Sequence, residues 1–364
     1  MLNFYKGIKK IRLSIITTAC LLSTSILFIT PNNNEPKEMN PDSNIAFKSF
    51  GVGRYNIDLP ENTKLTKAYL EINHIPISVT PEYIKARAKL ETKKTWSEIQ
   101  EKNKNNKKAP ATIENITGDS QLIKYNFTHI KGRKLDGSPM DKIVYSTLAY
   151  TWKDNMLFEL GSDSTLNEDD EIKKLLSKIN TESTLPSAQS LCYVNDCIMQ
   201  DTGDDNVTIF FEFPDLPKLT ATFRTIQYSG EPHLSLSEKS TIPSSTGFDA
   251  GEVAEWATKS DFTSRILQSE KRTLQKMAGE VLIEASTKKY EEKYLTQINA
   301  KWYYPGIPEV REKPEITIQL DYSYVTDQKP LNPAGFSEND ESNSMTETEF
   351  MSIWERKLTS FSIR

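Results

Sequence analysis

Cys192 and Cys197, in the stretch "LCYVNDCIMQ", stand five positions apart in a chain of 364 residues with one other cysteine, Cys20. Two thiols this close could hold a metal ion, cycle between redox states or close a structural clip. Zinc would ask for further ligands nearby, and His74, His129 and His233 all lie more than thirty residues away. Redox pairs are usually spaced C-x-x-C, whereas this pair is C-x4-C. Two short strings invite nucleophilic catalysis. "GDSQL" (118–122) sets Ser120 in the Gly-Asp-Ser-x-Leu form of one lipase class, and "STKK" (286–289) fits Ser-x-x-Lys. The first needs a late histidine three residues after an aspartate; Glu71, Asn126 and Gly230 stand there instead. The second should open a helix at the head of a catalytic domain, and here it follows a strand pattern. There is no G-x-S-x-G, Walker loop, dinucleotide fingerprint or H-E-x-x-H. The chain is therefore read as carrying no catalytic residues, no metal site and no cofactor.

The compartment decides what the thiols do. Lys6, Lys9, Lys10 and Arg12 precede a charge-free run from Leu13 to Thr30. That plan predicts a signal peptide or an uncleaved signal anchor over residues 1–30. It is long for the apolar region of a signal and short for a span of about 20 residues. Cleavage and anchoring through residues 13–30 both stay open. So does lipidation at Cys20, although Thr17-Thr18-Ala19 lacks the aliphatic residue of a lipobox. Every outcome carries the remainder across the membrane, because the basic flank stays inside. In an oxidising compartment Cys192 and Cys197 are expected to pair as a disulfide, a local clip without chemistry.

Export leaves an acidic protein. Of 45 basic residues the leader removes four, and it removes none of the 50 acidic ones. That balance argues against nucleic acid or anionic lipid as the main partner. One stretch runs the other way, from Lys85 to Lys108, ending in "KNKNNKKAP". It reads as a solvated helix end entering a loop.

The elements fall into two similar runs. After a polar tether (31–48), "GRYNIDLP" (53–60) and "KAYLEINHIPISV" (67–79) alternate as strands. Pro81 opens a helical stretch to about Lys102. Residues 120–130 and 141–162 read as strands, the latter a hairpin turning at Lys153-Asp154-Asn155. Residues 167–179 make a helix with acids first and lysines last, as the dipole favours. The second run has strands at 206–217 and 218–229, a helix at 249–270, strands at 273–287, 293–306 and 315–325, and a terminal helix at 345–361 behind Thr346 and Glu349. The chain is thus expected to be α+β: two α+β domains, 49–185 and 190–364, each roughly β-β-α-β-β-α, meeting in a linker at 180–190.

"KWYYPGIPEV" (301–310) sets Trp302, Tyr303 and Tyr304 in a row. Alternate residues of a strand face opposite sides, so at least one of the three is expected outside the core, as a contact for a partner.

The second half also resembles a known family. "LCYVNDCIM", "DDNVTIFFEFPDLPKLTATFRT", "KRTLQKMAGEVLIE", "KWYYPGIPEV", "PEITIQLDYSY" and "FMSIWERKLTSFSIR" follow one another in an order similar to the type VI secretion immunity proteins that protect bacteria from their own antibacterial phospholipases. "GRYNIDLP" resembles the start of their N-terminal domain. The shared marks are Cys192, Phe213-Pro214-Asp215, Arg272, Gly279-Glu280, Trp302, and Trp354 with the closing Ser-Phe-Ser-Ile-Arg. The resemblance implies a periplasmic inhibitor, a monomer binding one α/β-hydrolase-type phospholipase effector. The rival expectation from the sequence is a structural or assembly component of the cell envelope.

Overall fold

The computed structural model describes residues 45–104, 110–117, 119–162, 169–181, 190–194, 196–199, 205–237, 262–290, 292–327, 345 and 347–364. The apolar leader, most of the tether and most of the expected 180–190 linker lie outside the described residues.

The first half contributes β1 (Phe47–Gly53), β2 (Tyr55–Pro60), β3 (Lys64–Ile72), β4 (Ile75–Thr80), helix α1 (Lys85–Asn103), β5 (Thr112–Thr117), β6 (Ser120–Arg133), β7 (Pro139–Lys153), β8 (Met156–Ser162) and helix α2 (Asp169–Thr181). The second half contributes β9 (Ser190–Val194), β10 (Asp196–Met199), β11 (Asp205–Glu212), β12 (Leu219–Ile226), β13 (Phe262–Leu274), β14 (Met277–Tyr290), β15 (Lys293–Tyr304), β16 (Glu315–Thr326), helix α3 (Glu347–Ser360) and β17 (Ser362–Ile363). The chain is a strand-rich α+β protein.

Both sheets cross from one half to the other. The large one has twelve strands in the order β13-β14-β15-β16-β12-β11-β3-β4-β8-β7-β6-β5, and the small one runs β10-β9-β1-β2-β17. Outward from its centre the large sheet reads β3-β4-β8-β7-β6-β5 on one side and β11-β12-β16-β15-β14-β13 on the other. Each strand on the second side is the counterpart, eight places on, of one on the first. The small sheet repeats this about β1 and β9. Both central pairs, β3 with β11 and β1 with β9, are antiparallel, as a pseudo-two-fold axis through them requires. In place of two α+β domains that each close their own sheet, the halves are topological copies sharing both sheets. An unpaired edge strand exposes a row of backbone donors and acceptors, and pairing β3 with β11 satisfies two such rows at once.

The sheets pack face to face over one hydrophobic cluster. Val52, Ile57 and Leu59 of the small sheet meet Ala68, Leu70, Val207, Ile209 and Phe223 of the large one. Tyr55 lies 5.9 Å from Phe223, and Phe50 lies 6.3 Å from Phe211, ring centre to ring centre. On this inner face α2 lies beside β10, and α3 lies beside β2. On the outer face α1 packs through Ala88 and Ile99 against Ile123, Tyr150 and Leu157.

Two expectations change. The single strand at 67–79 is a hairpin, β3–β4, turning at Asn73 (φ 50°) and His74 (φ 66°). Such two-residue turns suit the twist of paired strands. Of the helix expected at 249–270, residues 262–270 form β13, paired with β14 through a turn at Gln275 (φ 48°) and Lys276 (φ 66°), and the remainder lies outside the described residues. That turn lacks Gly or Asn, so nothing local announced the hairpin. Ile266 and Leu267 fitted a helical stripe because β13 is an edge strand, where alternation is weakly enforced.

One buried cation lies under the large sheet. Lys357 of α3 is 0% exposed and donates to the carbonyl oxygen of Gln319 at 2.7 Å. Burial pushes its ammonium down to about 7 from an ordinary 10.5, against the opposing charge of Asp321. Between those pH values the unfolded chain holds a proton that the folded chain has released. Folding stability should therefore rise as pH climbs from about 7 towards 10.5, and below pH 7 the buried charge costs its full desolvation. Urea unfolding of the wild type against Lys357→Met should show a pH-dependent difference on the order of a few kcal/mol, largest at pH 7 and below. A difference that stays flat across the window would place the cation in water.

Candidate interaction surface

Among the described residues no helix covers the centre of the large sheet's outer face, where the two halves pair. In β3 the alternation buries Ala68, Leu70 and Ile72 and turns Lys67, Tyr69 and Glu71 outward. In β11 Val207, Ile209 and Phe211 go inward, and Thr208, Phe210 and Glu212 go outward. The register sets Tyr69 opposite Thr208 and Phe210 opposite Lys67. Tyr69 and Phe210 are thus diagonal neighbours on one face, within reach of each other's rings. Their centres are 6.1 Å apart and their planes meet at 89°, the edge-to-face arrangement that aromatic quadrupoles favour. Lys67 Nζ lies 4.7 Å from the Tyr69 ring centre. Tyr69 is 36% and Phe210 37% exposed.

Charged and polar side chains border the pair. One row of opposed residues runs Tyr150, Glu159, Ser78, Tyr69, Thr208, Arg224, Thr317, Tyr303 across seven pairings. Its ends, Tyr150 on β7 and Tyr303 on β15, occupy counterpart strands. Burial holds the Glu159 carboxyl above its usual range, with Lys67 opposing that shift and Glu91 adding to it. On the far side burial likewise raises Asp321, offset by hydrogen bonds from Gln319 (2.9 Å) and Asn299. Two rings with a firm footing, rimmed by Lys67, Arg224, Glu71 and Glu212, thus stand exposed on this face.

The residues singled out in the sequence are scattered. Ser120 is 1% exposed and donates to Thr151 Oγ1 at 2.8 Å. Ser286 sits in β14 opposite Gln297. His74 lies 3.8 Å from Glu71, His129 pairs with Asp141, and His233 pairs with Glu315 while stacking on Tyr228 at 3.7 Å. Cys192 and Cys197 face each other across the β9–β10 pairing; their side chains lie outside what the structure describes. Among the described residues no cluster of His, Cys, Asp and Glu could hold a metal ion.

Trp302, Tyr303 and Tyr304 are not surface contacts. They are 0%, 3% and 7% exposed. Alternation did turn them to opposite sides, but both sides are covered at this end of β15. Trp302 packs 5.9 Å from Phe361. Tyr303 donates to Glu315 at 3.0 Å, on the side of Tyr228 and His233, and burial raises its phenol. Tyr69 and Phe210 are the large aromatics that do stand exposed on this sheet. Each sits between inward-facing apolar residues, and that outward parity was the available signal.

Three of the marks that carry the resemblance, Arg272, Gly279 and Trp302, form one structural pin. Gly279 lies opposite Arg272, and a Cβ on it would stand 2.6 Å from the Trp302 indole and 2.7 Å from the Tyr303 carbonyl oxygen. The indole N–H donates to the Arg272 carbonyl oxygen at 2.9 Å. The Arg272 guanidinium in turn pairs with Glu355 of α3 at 2.7 Å. Glu280 accepts from the Ser237 amide and hydroxyl, each at 2.8 Å.

The family described as Tle cognate immunity protein 4 C-terminal domain matches residues 184–364. Among solved structures, the immunity protein TplEi of the T6SS from Pseudomonas aeruginosa, complexed with an "L" peptide, superposes with a TM-score of 0.54 at 15% identity, covering 87% of this chain and 98% of that one. Its apo structure gives 0.53 at 14% identity, covering 87% and 97%. The crystal structure of the Tle4–Tli4 complex contains a chain that superposes with 0.55 at 14% identity, again covering 87% and 97%. No curated protein sequence matches the chain.

Because Gly279 leaves room for the indole, Gly279→Ala should overpack the pin and cost about 1–3 kcal/mol. Denaturant unfolding measures this, and an unchanged midpoint would refute the close approach.

Proposed function

We propose, from the match of residues 184–364 to the family described as Tle cognate immunity protein 4 C-terminal domain, that the whole chain is a type VI secretion immunity protein that binds and inhibits a cognate lipase effector. The observation that carries the reading is this match over the second half. The fold likeness to solved immunity proteins supports extending it to the first half, since it covers 87% of the chain. The effector is a phospholipase of α/β-hydrolase type, held one to one by a monomeric inhibitor without hydrolytic activity of its own. The basic flank and apolar run of residues 6–30 support action in the periplasm, after export or while anchored.

The contact surface centres on Tyr69 and Phe210. Interfaces draw most of their affinity from a few desolvated anchors, aromatic ones above all, and this pair is exposed, mutually braced and set on the middle strands of a twelve-stranded sheet. Arg224 and Lys67 beside it would guide approach of an acidic partner surface.

Purified protein should abolish the activity of the lipase encoded beside it at stoichiometric amounts. Phe210→Ala or Tyr69→Ala should raise Kd by about tenfold or more, ~1.4 kcal/mol, with the melting temperature unchanged. Trp302→Ala should do the reverse and lower the melting temperature first, by the roughly 3–5 kcal/mol of a lost core aromatic. Failure of the wild type to bind that lipase would move an envelope-assembly role ahead. Removing residues 1–30 should leave inhibition intact in the test tube and remove protection in the cell. A protective leaderless form would end the periplasmic mechanism.

The Cys192–Cys197 disulfide belongs to the same reading. Opposed residues of an antiparallel pair have Cα atoms about 4.5–5.5 Å apart, inside the span a disulfide needs. Mass spectrometry of non-reduced peptides from exported protein should find the two joined; two alkylatable thiols would count against export or pairing.

A further inference from the structure

Beside the open centre of the sheet, between α1 and strands β5 to β8, lies a cavity of about 470 Å³. Its floor is Tyr150, Trp152 and Leu157, and the helix presents Ala88, Thr92 and Trp96 to it. Those three sit at i, i+4 and i+8, one stripe of a helix. The next stripe is Lys85, Lys89 and Lys93, which rims the opening. The stretch that read as a solvated basic run thus aims half its α1 cations at an aromatic-walled cavity.

The charge around this opening is unbalanced. Asp119, the one carboxylate lining the cavity, is committed to Lys85, whose Nζ also lies 5.4 Å from the Trp152 ring centre. Lys89 and Lys93 make no ion pair among the described residues. The first turn of α1 holds no acidic residue, and its N-cap Ile84 offers no side-chain acceptor. The helix therefore begins with cations where its dipole favours anions. A site with two uncommitted ammonium groups above two indoles suits a ligand that is anionic at one end and apolar at the other.

We propose that this cavity receives an acidic segment of the partner protein, carboxylates meeting Lys89 and Lys93 while an adjoining aromatic or aliphatic side chain enters between Trp96 and Trp152. The proposal rests on the immunity reading for who the partner is. A protein segment fits better than a lipid surface for two reasons. The chain is acidic overall, with a net charge of −5, so a flat anionic membrane would be repelled around the site. Tyr150 of the cavity floor is also three pairings from Tyr69 along the row Tyr150, Glu159, Ser78, Tyr69, so the cavity and the proposed contact surface share one face of the sheet and one partner could reach both.

The test needs no lipase, which separates its failure from failure of the immunity reading. ¹⁵N-labelled full-length chain is titrated with the peptide Ac-Asp-Phe-Asp-Leu-NH₂, with its Asn-Phe-Asn-Leu analogue, and with phosphatidylglycerol vesicles, while the Trp96 and Trp152 indole N–H signals are followed. The acidic peptide should shift both signals with a Kd of about 1 mM, and the amide analogue should bind at least about fivefold more weakly. Lys89→Glu with Lys93→Glu should remove the shift, and Lys89→Arg with Lys93→Arg should keep it; both pairs are exposed, so the fold is undisturbed. Equal binding of the two peptides, no shift with either, or an unchanged response in the glutamate variant overturns the proposal. So does a response to vesicles that the glutamate variant loses while neither peptide binds, which would assign the site to a lipid headgroup.

Discussion

The structure depends on one pairing. Strands β3 and β11, more than 130 residues apart in sequence, form an antiparallel ladder at the middle of the large sheet. Without it each half would end in an apolar edge strand with its backbone groups unpaired. With it the two edges cancel, and Ala68, Leu70, Val207 and Ile209 come together under the small sheet. The β1–β9 pairing repeats the device one layer down, and α3 with β17 returns to β2 to close the far side. Arg364, the last residue, donates to Asn56 at 2.7 Å. Residues from both ends of the folded chain are thus neighbours, and the larger hydrophobic core is built from both halves at once.

That pairing also creates the exposed face. Inner positions of β3 and β11 are fixed by the core, so outer ones are fixed by parity. Tyr69 and Phe210 can only point away from it, and they meet because the register places them diagonally. The described helices sit elsewhere: α2 and α3 on the inner face, α1 towards the β5 edge. The seam joining the halves is left as a stiff, aromatic surface whose position the backbone ladder sets. A binding surface on strands loses little conformational freedom when it is covered.

Much of this was legible locally, because alternation is local. Tyr55, Ile57 and Leu59 announced β2, and the acids and lysines of residues 167–179 announced α2. The turn at Asp154 and Asn155 was readable from residue types that tolerate positive φ. What failed needed knowledge of neighbours. β13 looked helical because an edge strand need not alternate strictly. Trp302, Tyr303 and Tyr304 looked half exposed because nothing in the sequence tells that both faces of β15 are covered. The pairing of β3 with β11, and with it the site, is a contact between distant segments that leaves no mark in either one. Tyr69 and Phe210 each carried an outward parity, but only the pairing makes them a pair.

The two copies of the fold have been finished differently. Tyr150 and Tyr303 stand at the two ends of one row, on counterpart strands. Around Tyr303 the space is filled: its hydroxyl is held by Glu315, which also holds His233, and Gly279 is pressed against the neighbouring indole. Around Tyr150 the space is hollow and bounded by lysines. Substitutions in the filled copy disturb the pin and are felt as instability, whereas at the hollow copy the exposed rim lysines Lys89 and Lys93 can change without touching the residues packed under α1. One duplicated scaffold thus ends in a packed pin on one side and an open, lysine-rimmed hollow on the other.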